Sequence, residues 1–102
     1  MTEFNKLVRD KIPEILRKKK IKYKFHKANN KEYIEMLYKK LIEELEEFKK
    51  EPNVEEFCDM LQVLENIGKF HDLEIEEVKE VKKIKKEISG GFDKKIILES
   101  TD

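Results

Sequence analysis

Residues 40–62 read KLIEELEEFKKEPNVEEFCDMLQ, and this stretch decides the fold. Before Pro52, apolar residues recur at helical spacing: Ile34, Leu37, Tyr38, Leu41, Leu45 and Phe48 form one stripe. After Asn53 a second stripe is centred on Phe57, Leu61, Leu64 and Gly68, with Met60 and Ile67 beside it. Pro52-Asn53 interrupts the run, so the pattern predicts two helices, paired antiparallel across a short turn. Each helix also carries two acids three residues apart: Glu44 and Glu47 on the first, Glu56 and Asp59 on the second. Three residues turn a helix by about 300°, which leaves the members of each pair on one face. Glu44 borders the first stripe, whereas Glu43 points nearly away from it, and Glu56 and Asp59 lie along the edge of the second. The turn therefore brings four carboxylates toward one another. Such a group repels itself unless a cation neutralises it, and hard oxygen ligands suit Mg²⁺ or Mn²⁺. A plainer reading competes. Charged residues make up 45% of the chain, most glutamates on such helices are solvated, and Asn53 with Glu56 matches a helix-capping box.

The 102 residues allow one domain, 1–102, with one modest core. Hydrophobic content is 38%, which leaves a small core and favours burial by self-association. Lys+Arg and Asp+Glu are both 23, so the formal net charge is zero, which argues against a general nucleic-acid coat. The single cysteine, Cys58, excludes an internal disulfide and fits a reducing, cytoplasmic compartment; its expected place is the core. With two histidines, a structural zinc site is not expected. No apolar run approaches the length of a membrane span, and no signal peptide is recognisable.

The first eleven residues, MTEFNKLVRDK, form a basic arm. Leu7 and Val8 can tether it, and Lys6, Arg9 and Lys11 are candidates to hold phosphate groups, with Arg9 able to grip two oxygens. Asp10 is placed to orient Arg9 or to cap the helix that Pro13 opens, which is predicted to run to about Lys20. Residues 21–26, IKYKFH, alternate like a half-buried strand. Asn29 and Asn30 are natural caps for a helix from Lys31 to about Lys50. The next helix spans about Val54 to Phe70, His71-Asp72 breaks the chain, and another helix runs from about Ile75 to Ile88. Ser89-Gly90-Gly91 ends it, although the two glycines also permit close backbone approach to a ligand. Lys94–Glu99 reads as a second short strand, which pairs with 21–26 or with another chain. The expected fold is thus mainly α, a bundle of about four helices with a small two-stranded β ribbon. No Rossmann or Walker signature is present.

Taken together, NKLVRDKIPEIL at 5–16, KLIEELEEF at 40–48, EEFCDMLQVLENI at 55–67 and GGFDKKIIL at 90–98 resemble the all-α nucleotide pyrophosphohydrolases. That superfamily includes MazG-like enzymes and phosphoribosyl-ATP pyrophosphohydrolase. The likeness is closest to its small MazG-like, phosphoribosyl-ATP pyrophosphohydrolase-like subgroup and covers nearly the whole chain. It implies that Glu44, Glu47, Glu56 and Asp59 are the catalytic, metal-binding acids and that Glu43 supports them. It implies cleavage of a nucleoside triphosphate, or a related nucleotide, to monophosphate and pyrophosphate with Mg²⁺ or Mn²⁺, in some members as a house-cleaning reaction. It also implies a homodimer or larger helical assembly. Lys83 and Lys86 are further, weaker phosphate-binding candidates. The interval from Glu47 to Glu56 is shorter than in the better-known relatives, so Glu55 is an alternative ligand in a shifted register. Hydrolysis of phosphoribosyl-ATP itself, or a non-enzymatic helical interaction module, are the other readings.

Overall fold

The computed structural model describes residues 5–102; the first four residues of the expected basic arm lie outside them. Four helices follow in order: α1 (Ile12–Lys18), α2 (Asn30–Lys50), α3 (Val54–Phe70) and α4 (Ile75–Ser89). The chain divides into two compact units, Met1–His71 and Asp72–Asp102.

In the first unit, α1 opens with Pro13 in its first turn, where the missing N–H costs nothing and the fixed φ suits the helix. It closes at Lys18, two residues earlier than the pattern predicts, because Lys20 adopts a left-handed φ of 57°. The N-cap position is Lys11 and no side chain caps it, so the capping role expected for Asp10 is not taken up. The two long helices are capped as the sequence predicts. Asn29 accepts a hydrogen bond from the Glu32 N–H at 2.9 Å, and Asn53 accepts one from the Glu56 N–H at 2.8 Å. Such caps are typically worth about 1 kcal/mol each.

α2 and α3 run antiparallel. Phe48 meets Phe57 edge-on beside the turn, with ring centroids 6.0 Å apart. At the far end Tyr33 lies 6.1 Å from Phe70 and accepts a hydrogen bond from Asn66 Nδ2 at 3.2 Å. Tyr38 and His71 share a further bond of 2.8 Å between Oη and Nε2. Leu37, 2% exposed, is the fully buried apolar residue among those described. On α3 the row Glu56, Met60, Val63 and Ile67 is half-buried. The predicted stripe centre is displaced from this row: Phe57, Leu61 and Leu64 stay about half exposed, as does Leu45 on α2. α3 is therefore rotated so that the row Glu56, Met60, Val63 and Ile67, rather than the predicted apolar centre, lies in the seam.

The expected two-stranded ribbon is absent among the described residues. Residues 22–29 are irregular, although Tyr23 and Phe25 do project to one side, their rings stacked 6.1 Å apart. Alternation fixes which way side chains point. A strand also needs a ladder partner for its backbone groups, and neither this segment nor Lys94–Glu99 has one.

In the second unit α4 carries Glu76 and Glu77 in its first turn and Lys86 in its last, the order that suits the helix dipole. Gly90 stops it with φ 82° and ψ 177°, a conformation essentially closed to residues with a Cβ, and its N–H bonds to the Lys86 carbonyl at 2.9 Å. No helix among the described residues is long and apolar enough to cross a membrane.

Candidate metal centre

Toward the turn end of the α2/α3 seam, Glu44 from α2 meets Glu56 and Asp59 from the opening turns of α3. One carboxylate oxygen from each lies within 4.8 Å of the others. Glu44 is buried, at 9% exposure, while Leu45 beside it is 46% exposed. This inverts the ordinary order, since a carboxylate is penalised on leaving water whereas a leucine gains by it. The donor set is all hard oxygen, the chemistry that Mg²⁺ and Mn²⁺ prefer, so the residues present fit such an ion.

Cations of the chain already crowd the rim. Lys40, one turn before Glu44, pairs with it at 3.4 Å and with Glu43 at 3.7 Å. Lys6 reaches Glu43 at 3.6 Å. Arg9 Nη2 donates to Asp59 Oδ1, so Asp59 on α3, rather than the neighbouring Asp10, is its partner. Among the described residues no cation pairs with Glu56. Its carboxyl is pushed above the usual range, first by lost hydration and then by the charges of Asp59, Glu44, Glu47 and Glu51.

That shift has a sign. A carboxyl with a higher pKa in the folded protein than in the unfolded chain favours folding while protonated. Its contribution is complete below the unfolded value, about 4.3, and is lost as pH rises through the raised folded value. In EDTA, Glu56→Gln is therefore expected to melt higher than the parent at pH 7, with the gap closing below about pH 4. Thermal circular dichroism at the two pH values checks this; an unchanged or lower melting temperature at pH 7 would mean that Glu56 bears no such repulsion.

The remaining expected site residues divide. Glu47 is exposed and outside the mutually close trio, one turn nearer Pro52, although its charge still acts on Glu56. Glu43 stands at the edge of the seam, tied to Lys6 and Lys40. Glu55 is exposed and does not join the cluster. Lys11 is exposed at the start of α1, and Lys83 and Lys86 are exposed on α4 in the second unit. Gly90 acts as the helix stop, with open space where a Cβ would stand. Cys58, expected in the core, is exposed, because the rotation of α3 that turns Glu56 and Asp59 inward carries Cys58 outward. Two partners escaped the sequence reading. Lys40 was visible as the i,i+4 mate of Glu44. The Arg9–Asp59 pair spans 50 positions and has no local signal.

No family model, curated protein or solved structure matches this chain.

Proposed function

We propose that the chain is a Mg²⁺- or Mn²⁺-dependent nucleotide pyrophosphohydrolase, which converts a nucleoside triphosphate or related nucleotide to its monophosphate and pyrophosphate. The observation that carries this reading is the burial of Glu44 against Glu56 and Asp59 in the seam between α2 and α3. A purely structural helix pair would place leucines there and leave the acids in water. Glu44, Glu56 and Asp59 would hold the ion, with Glu47 adjoining. Bound there, the ion would supply charge neutralisation and a more acidic water. The rest falls to the chain. Arg9 and Lys6, carried on the arm at the rim of the seam, bind phosphate oxygens, with Lys11 as a further candidate. Glu43, held by Lys40 and Lys6, fixes the rim. Water attacks the α-phosphorus, the bond from that phosphorus to the α,β-bridging oxygen breaks, and pyrophosphate departs.

The same reading includes a homodimer. It is supported by the half-exposed Leu45, Phe57, Leu61 and Leu64 on the helices that carry the acids, since exposed apolar patches of this kind mark interfaces. That surface also suits the second reading, a helical interaction module without chemistry. A panel of nucleotides incubated with Mg²⁺ and scored for pyrophosphate against orthophosphate separates the two. Pyrophosphate release that EDTA abolishes is expected. Release from phosphoribosyl-ATP alone would narrow the substrate, and no turnover of any nucleotide would favour the interaction module.

A further inference from the structure

We propose that Arg9 is the resident counter-ion of the acidic seam, and that a divalent cation displaces it from Asp59 and frees its guanidinium for the phosphates of the substrate. This rests on the metal reading above and adds its regulation. Arg9 lies just before α1, yet its guanidinium reaches Asp59 on α3, and Lys6 of the same arm reaches Glu43 on α2. The arm is thus pinned across the seam by charge at two points. Asp59 is also one of the three mutually close carboxylates, so Arg9 and an incoming ion compete for one group. A guanidinium and a doubly charged ion on the same carboxylate repel each other strongly.

The latch is weak enough to open. The side chains of Arg9 and Asp59 are 60% and 36% exposed, and pairs so placed change an equilibrium by no more than about fivefold. Once released, Arg9 has the planar fork that grips phosphate oxygens, so cation and nucleotide bind in favourable order. By linkage, each also strengthens the other. A chain without an ion keeps its phosphate-binding arginine occupied.

Arg9 and Arg17 are the arginines of the sequence, which makes the latch directly observable. In the full-length protein without nucleotide, the Nε–Hε NMR signals of the two arginines are followed while Mg²⁺ is added, and calorimetry records Mn²⁺ affinity. On saturation the Arg9 signal is expected to move to the position it has in Asp59→Asn, with Arg17 unmoved as the internal reference. Arg9→Ala is expected to bind Mn²⁺ about two- to fivefold more tightly than the parent, and Arg9→Lys, which keeps the charge, to bind close to it. An Arg9 signal that stays in place while calorimetry shows the ion bound would overturn the latch and leave the metal reading standing. Failure of either ion to bind the parent and both arginine variants would remove the metal reading, and the latch with it.

Discussion

Replacing Glu44 by Gln is expected to lower pyrophosphate release at least about a hundredfold in saturating Mg²⁺, equivalent to about 2.7 kcal/mol of lost transition-state stabilisation. Glutamine has the shape of glutamate and an uncharged amide, so the seam keeps its packing and loses the negative charge that would hold the ion. Glu44 is the buried member of the trio, and water cannot take over its role as it can for an exposed carboxylate. Asp59→Asn is expected to fall by a similar factor. It also removes the partner of Arg9, so its Mn²⁺ affinity and its NMR behaviour change together, whereas Glu44→Gln leaves that pair in place. Steady-state assays of pyrophosphate, with circular dichroism to verify the fold, make the comparison. Turnover within threefold of the parent in both variants would remove these acids from the reaction.

A glutamate at position 61 is expected to convert a dimer into a monomer. In the single chain Leu61 is about half exposed, together with Leu45, Phe57 and Leu64. Full burial of such side chains is worth about 1.5–3 kcal/mol each, and half of that remains to be gained when a second copy covers the face. Leu61→Glu replaces this gain with the cost of burying a charge, so the dissociation constant is expected to rise at least about a hundredfold. In the isolated chain the same glutamate points to solvent, so the helical circular dichroism signal should persist. Sedimentation equilibrium at micromolar concentration reads the outcome against the chain mass of 12.3 kDa. A parent protein that runs as a 12.3 kDa monomer, or a variant that dimerises as tightly as the parent, would refute the proposed interface.

Much of the helical layout was legible because its signals are local. Pro52-Asn53 placed the turn, Asn29 and Asn53 announced two helix starts, and Gly90 a stop. Each acts through its own backbone geometry or its own side chain on a neighbouring N–H. The nearness of Glu44, Glu56 and Asp59 was legible because a tight turn between helices brings fixed positions together. What sequence could not supply was the rotation of α3. The half-buried row of Glu56, Met60, Val63 and Ile67 and the predicted apolar centre differ by only about 100° around the helix, and long-range packing chooses between them. Cys58 and the row Phe57, Leu61 and Leu64 were misplaced for that one reason. The strand pattern at 21–26 failed differently, since period-two alternation carries no information about whether a ladder partner exists.

Three residues, Glu51 to Asn53, separate α2 from α3, and that brevity governs how the hairpin comes into being. Closure of so short a loop is fast, on the order of 10–100 ns for even a ten-residue loop. Pairing is then expected to zip outward from Phe48 and Phe57 toward Tyr33 and Phe70, without a search for distant partners, as in other proteins of low contact order. Glu44, Glu56 and Asp59 lie in the half of the hairpin nearest the turn, so their mutual repulsion is met on the way up the folding barrier. Neutralising one of them should therefore show chiefly as faster folding, with little change in the rate of unfolding.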